Sequence, residues 1–211
     1  MPWELESLQV DAGRLAPSAL QRRFAQPPIW SPDAHIERWL QGIPAVPASV
    51  LIPLVVREVP GVGPMATSVL LTQRSAQLRK HGGQISFPGG RRDPGDTDSV
   101  ATALRETHEE VGLLPSRIEV IGSLPDYETG TGFLITPVVG LIHALPHEAE
   151  QLALTIDPGE VEEVFEVPLS FLLDPANHPR RGLSLGAQEL HFYAMPWWPP
   201  HRHEDYFIWG A

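Results

Sequence analysis

Three glutamates are spaced to act together. In the run Arg105-Glu106-Thr107-His108-Glu109-Glu110-Val111-Gly112-Leu113, the residues Glu106, Glu109 and Glu110 stand at i, i+3 and i+4. Residues three and four apart share one face of an α-helix, so three carboxylates crowd a single patch. Like charges at that spacing cost a helix about 0.2–0.5 kcal/mol per pair, and a hard cation reverses the sign. Mg²⁺ and Mn²⁺ both take carboxylate oxygen, and Mg²⁺ commonly shares its shell with substrate phosphates. A solvated Glu-rich turn is the plain alternative. Against it stands Phe87-Pro88-Gly89-Gly90 upstream, where glycines let backbone approach a ligand closely and leave a carbonyl open to a metal.

A second cluster is basic. Arg74, Arg79, Lys80, Arg91 and Arg92 fall within nineteen positions, immediately before the acidic run. The chain as a whole is acidic, with 15 Lys+Arg against 26 Asp+Glu and a net charge of -11. Such a surface repels nucleic acid on average. It still admits a small anionic substrate where arginines gather, because the guanidinium fork matches phosphate oxygens. There is no cysteine, which excludes disulfides and thiolate-ligated metals. Apolar runs are shorter than the ~20 residues a spanning helix needs. The first residues carry Glu4 and Glu6 and no apolar run, unlike a secretory signal. The expectation is a cytoplasmic protein without a membrane partner.

The elements that must position these groups can be read in turn. Ala101, Leu104, Thr107 or His108, and Val111 recur at helical spacing, which predicts a helix over Asp98–Val111. Thr97 or Asp98 can cap it, and Gly112 sits where a left-handed stop belongs. Val50–Val56 and Thr67–Thr72 are β-branched runs around a Pro/Gly turn, and predict a hairpin. Gln84–Phe87 reads as a short strand, and so do Ile118–Leu124, Phe133–Ile142 and Gln188–Ala194. Asp157–Glu166 reads as loop into a short helix or turn. Residues 1–48 read as an N-terminal helical extension, with helices near Ala16–Phe24 and Asp33–Leu40, and residues 49–211 as the main domain. Strands, helix, strands and helix in that order predict an α/β fold with a mixed sheet and helices on its faces.

Two stretches carry a family resemblance. Gly90 followed by Arg105-Glu106-x-x-Glu109-Glu110-x-Gly112-Leu113 resembles the Nudix box, Gly-x5-Glu-x7-Arg-Glu-U-x-Glu-Glu-x-Gly-U with U aliphatic. Here the loop is one residue longer, Thr107 replaces an aliphatic residue, and the leading Glu falls at Thr97, flanked by Asp96 and Asp98. Upstream, Leu70-Leu71-Thr72-Gln73-Arg74-Ser75 through Phe87-Pro88-Gly89-Gly90 is similar to the signature of the coenzyme A pyrophosphatase branch, with every fixed position filled. The resemblance implies a Nudix α/β/α sandwich that hydrolyses the diphosphate of coenzyme A to 3′,5′-ADP and 4′-phosphopantetheine, with Mg²⁺ or Mn²⁺ as cofactor.

It also implies roles. Glu106 and Glu110 are first-choice metal ligands, Glu109 a third, and the Gly90 or Gly89 carbonyl a fourth. Arg105 is carried over with the box. Arg74, Arg79 and Lys80 bind substrate phosphates, with Phe87 and Gly89 lining the same site. A general base comes from the later loop, with Glu160 and Glu163 preferred. Rival substrates within the family are ADP-ribose, NADH and nucleoside triphosphates, and a non-catalytic nucleotide-binding regulator is a further alternative. Gly182-Leu183-Ser184-Leu185-Gly186 matches the serine-hydrolase elbow, but that motif needs a strand before it and a helix after, and a strand is expected next. Trp197-Trp198 reads as core in preference to a stacking platform for adenine.

Overall fold

The computed structural model describes residues 10–29, 44–59, 63–78, 81–148, 151–185, 188–199 and 205–209. The helix expected at Asp33–Leu40, the hairpin tip at 60–62, and both Arg79 and Lys80 lie outside the described residues. In chain order the elements are α1 (Pro17–Ala25), β1 (Val46–Val59), β2 (Gly63–Arg74), β3 (Ile85–Ser86), β4 (Gly89–Arg91), α2 (Ser99–Val111), β5 (Glu119–Ser123), β6 (Tyr127–Glu128), β7 (Phe133–His143), β8 (Val161–Pro168), α3 (Leu169–Leu172), β9 (Arg180–Leu185), β10 (Gln188–Trp197) and β11 (Tyr206–Trp209).

Eight strands form one mixed sheet. Its main order is β3-β2-β1-β7-β5, with β4 on β1, β6 on β7 and β8 on β2. The expected hairpin is β1–β2, paired antiparallel from Leu54 opposite Val69. Strands β1 and β7 run parallel from Val46 opposite Phe133 to Val56 opposite His143. A parallel pair needs a long crossover, and the segment carrying α2 supplies it. The strands β11-β10-β9 form a second, antiparallel sheet. Residues 182–185 of the Gly182–Gly186 motif lie in strand β9, which pairs with β10, so the described part of the motif is a strand pairing with a strand and not an elbow into a helix.

Side chains alternate across the sheet, and two cores follow. On one face Leu51, Val55, Leu70, Val138 and Ile142 pack with Ala103 and Val111 of α2. On the other, Leu54, Val56, Val69, Leu71, Val139 and Leu141 pack with Leu20 and Phe24 of α1 and with Leu169 of α3. Each fully buried aliphatic side chain contributes roughly 1.5–3 kcal/mol. A helix-covered sheet on both faces is the expected α/β/α sandwich.

One expected element is different. Asp157–Glu166, read as loop into a short helix or turn, takes the turn, over 157–160, and then continues as strand β8 with no helix; the helix comes later as the single turn α3. Three glutamates among four residues mask the strand pattern. The fourth glutamate of the segment, Glu166, is paired on the sheet with Arg57 and accepts a hydrogen bond from the Ser68 hydroxyl, so it does not oppose the pairing of β8 with β2.

A buried carboxylate ties down the loop after β7. Glu148 is 2% exposed. It accepts from Arg117 at 2.8 Å, from the Leu145 N–H at 2.8 Å and from the Ala153 N–H at 3.1 Å. The Arg117 bond, with help from the two amides, holds its carboxyl down at about 2, below the ordinary 4.5. A depressed folded value means stability that is present above about 4.5 and lost as pH falls towards 2. Glu148→Gln is expected to cost about 2 kcal/mol at pH 7. Urea melts of both proteins should converge as pH falls towards 3, whereas a gap independent of pH would show that the charge is not what Glu148 contributes.

Candidate active site

Helix α2 forms where the pattern predicted. The Asp98 side chain caps it by accepting from the Ala101 N–H at 2.8 Å, and Gly112 ends it at φ 71°, a conformation only glycine adopts freely. Thr107, at the aliphatic position of the box, is fully buried and donates its hydroxyl to the Ala103 carbonyl at 2.7 Å. That bond satisfies a polar group the core would otherwise penalise.

Arg105 organises the outer side of the helix. It grips Asp96 with two bonds, from Nε at 3.0 Å and from an NH2 group at 2.9 Å. It also meets Glu106 at 3.0 Å and Glu109 at 2.9 Å, and donates to the Arg91 carbonyl at 3.1 Å. The acid opposite Arg105, open in the sequence among neighbours of Thr97, is Asp96. Counted forward from Gly90, Asp96 holds the position of the leading Glu, and the extra loop residue enters after it. The Arg105 bond keeps the Asp96 carboxyl well below the usual carboxylate range.

The inner carboxylates face the glycines. Glu110 is 2% exposed. One of its oxygens accepts from the Gly89 N–H at 3.1 Å and the other from Arg74 at 3.3 Å. Glu106 lies against Gly90, since a Cβ placed there would be 2.5 Å from its carboxyl carbon. Burial pushes the Glu110 carboxyl up to about 7, and the charges of Glu160 and Glu106 push the same way. Burial also raises Glu106, with Glu109 and Glu160 adding to it. Glu160, in the turn before β8, is thus electrostatically joined to both. Its carbonyl accepts from the Ser75 N–H at 2.8 Å, and the turn is pinned to α2 where the Asp157 N–H meets the Glu110 carbonyl at 2.9 Å.

The expected site residues divide accordingly. Glu106, Glu110, Gly89, Gly90 and Arg74 come together, and Glu160 approaches them. Glu109 is half exposed on the outer side with Arg105. Glu163 stands opposite Gln73, which also pairs with Ile85 of the second core. Cross-strand partners share a face, so Glu163 belongs to the far side of the sheet. Phe87 packs against that second core too. Among the described residues, no three His, Asp or Glu side chains stand as a ready chelating group. The donor chemistry nonetheless suits a hard cation. Glu106, Glu110 and Glu160 bring three carboxylates within electrostatic reach of one another, balanced in part by Arg105 on Glu106 and Arg74 on Glu110, beside a glycine backbone with no side chain in the way. Asp157 and Asp96 went unpredicted or unresolved because their partners are set by loop geometry, which leaves no local signal.

The chain is similar to known proteins over most of its length. The sequence model of the NUDIX domain matches residues 55–185. Escherichia coli O7:K1 has a protein named uncharacterized Nudix hydrolase NudL that is 45% identical over 169 residues, 77% of this chain and 75% of that one. The NudL of Escherichia coli K12 is 44% identical over the same length, with the same coverage. Among solved structures, a binary complex of the C. elegans Ap4A hydrolase superposes with a TM-score of 0.44 at 21% identity, covering 61% of this chain and 83% of that chain.

Proposed function

The chain belongs to the Nudix family, and on that premise we propose that it cleaves the diphosphate bond of coenzyme A, releasing 3′,5′-ADP and 4′-phosphopantetheine. As a Nudix hydrolase it acts on the acid anhydride of a nucleoside diphosphate derivative, and such enzymes generally use divalent metal ions. The coenzyme A reading rests on one observation above the others. The single stretch from Leu70 to Gly90, which carries the coenzyme A signature, places both Arg74 and the Gly89 amide on Glu110. The signature stretch and the acidic helix thus meet at one carboxylate.

Glu106, Glu110 and the Gly90 carbonyl would hold Mg²⁺ or Mn²⁺, with Glu109 reaching in as a third carboxylate. When bound, the ion supplies positive charge against the phosphate oxygens and makes water easier to deprotonate. The rest falls to the chain itself. Arg74, which stands at 3.3 Å from Glu110, would offer its guanidinium fork to a phosphate of the substrate. Arg79 and Lys80 follow it in sequence and suit the ribose 3′-phosphate. Glu160 is the general base in preference to Glu163, since its charge already acts on Glu106 and Glu110. Arg105 and Asp96 hold the helix face in place.

Incubation with coenzyme A and either ion, followed by chromatography, is expected to yield 3′,5′-ADP and 4′-phosphopantetheine in preference to products from ADP-ribose, NADH or dATP. Turnover of another of these compounds alone would keep the Nudix chemistry and remove the coenzyme A assignment. Arg79→Ala should weaken use of coenzyme A about tenfold and leave 3′-dephospho-coenzyme A nearly unchanged. Equal losses would move Arg79 to the diphosphate.

A further inference from the structure

The turn that carries Glu160 is held from two sides of the acidic site. Asp157 opens the turn, and its N–H donates to the main-chain carbonyl of Glu110 on α2 at 2.9 Å. The Asp157 carbonyl in turn accepts from the Glu160 N–H at 3.1 Å and from the Val161 N–H at 2.8 Å. On the other side the Glu160 carbonyl accepts from the Ser75 N–H at 2.8 Å, next to Arg74, which stands opposite Val161. The main chain of Glu160 is thereby registered against Glu110 and against the neighbour of the arginine that meets Glu110.

One side chain shapes the turn itself. Asp157 Oδ1 accepts from the Gly159 N–H at 2.8 Å, the bond by which aspartate and asparagine fold the two residues after them. Gly159 leaves room for it, since a Cβ there would lie 3.1 Å from that oxygen. Asp157, Gly159 and Glu160 are all exposed, so the Asp157 carboxylate fills no core. An exposed turn has many backbone states open to it, and this bond narrows them immediately before Glu160. The Glu160 charge pushes up the carboxyls of Glu106 and Glu110, which puts it within electrostatic reach of both.

We propose that Asp157 is a positioning residue, whose carboxylate fixes the 157–160 turn so that Glu160 is aimed at the attacking water. Asp157 itself touches neither substrate nor ion. A general base must stand within hydrogen-bond reach of the proton it takes, and a misplacement of about 1 Å can cost on the order of 10²-fold in rate. The inference rests on the assignment of Glu160 as the general base. The turn uses an acceptor oxygen and not a negative charge, so an amide at the same position does the same work.

Four variants test this with whichever of coenzyme A, ADP-ribose, NADH and dATP the protein turns over. Asp157→Ala should lower kcat about tenfold with KM nearly unchanged. Asp157→Asn, which keeps the acceptor, should stay within about twofold of the wild type. In a Glu160→Gln background Asp157→Ala should add no further loss, because a residue that acts through Glu160 has nothing left to position. The gain in melting temperature on adding Mn²⁺ should be the same in Asp157→Ala as in the wild type. Asp157→Ser, whose hydroxyl makes the same turn more weakly, repeats the comparison if Asp157→Ala does not fold. Equal fold-losses in the wild-type and Glu160→Gln backgrounds overturn the proposal. So does an equal loss in Asp157→Asn, or a lost Mn²⁺ response, which would attach Asp157 to the ion and not to the base. Full turnover by Glu160→Gln, or turnover of none of the four compounds, removes the general-base assignment itself and the proposal with it.

Discussion

Glu106→Gln and Glu110→Gln are each expected to cut turnover roughly 10²- to 10³-fold, since several kcal/mol of charge stabilisation leaves with each carboxylate. The fold should survive. Glutamine keeps the shape, and among the described residues Glu106 is paired with Arg105, which retains Asp96 and Glu109. Glu110 is the more demanding position. Its oxygens accept from Gly89 on one side and Arg74 on the other, so an amide must turn its NH2 towards one of two donors. Against that cost, Glu110→Gln removes a buried charge that Glu106 and Glu160 repel. A melting experiment with Mn²⁺ separates binding from folding. Wild-type protein should gain stability on titration with the ion, as any ligand of the native state confers, and both variants should lose most of that gain. Near-normal rates together with a wild-type Mn²⁺ response in both variants would sink the metal assignment.

The parts of this site that were legible in the sequence are those whose causes are local. The helix, its Asp98 cap and its Gly112 stop depend on neighbours within a turn or two. The three-glutamate patch is a consequence of helical spacing alone. The mixed sheet followed from the order of the elements. What the sequence left open depends on contacts between distant segments. Asp96 and Asp98 are indistinguishable as partners for Arg105 until the loop closes, whereupon one becomes the cap and the other the counter-ion. Glu160 and Glu163 look equivalent in a run of acids. The β-bulge at Gln73/Arg74 and the turn over 157–160 send one towards α2 and leave the other across the sheet. Strand β8 itself was masked by Glu162, Glu163 and Glu166, which oppose a strand only if Arg57 and Ser68 are not waiting for the last of them. Trp197 and Trp198 also part company: the first packs on Phe171, and the second is 58% exposed.

Gly89→Ala should abolish activity and loosen the fold, and its neighbour supplies the control. A Cβ on residue 89 would lie 2.4 Å from the Ser49 carbonyl oxygen and 2.6 Å from the Val50 Cα, both backbone atoms, and the residue sits at φ 155°. Neither atom can move unless β4 parts from β1 along the pairing of Val50 with Gly89 and Ser49 with Gly90. Overpacking of this kind costs roughly 1–3 kcal/mol or more. The same displacement withdraws the Gly89 N–H from Glu110 and moves the Gly90 carbonyl. In Gly90→Ala the three atoms nearest the new methyl all belong to the Glu106 carboxyl group, the far end of a flexible side chain that can turn aside. That variant should fold with nearly wild-type stability and still lose most of its turnover, because the displaced carboxylate is the one assigned to the metal. Thermal melts and initial rates on the pair decide the matter. Stability lost at 89 alone, with activity lost at both, means that the glycines serve the site by two different routes. An active Gly90→Ala enzyme would mean that Glu106 need not stand where it does, and would return the metal assignment to Glu110 and Glu109.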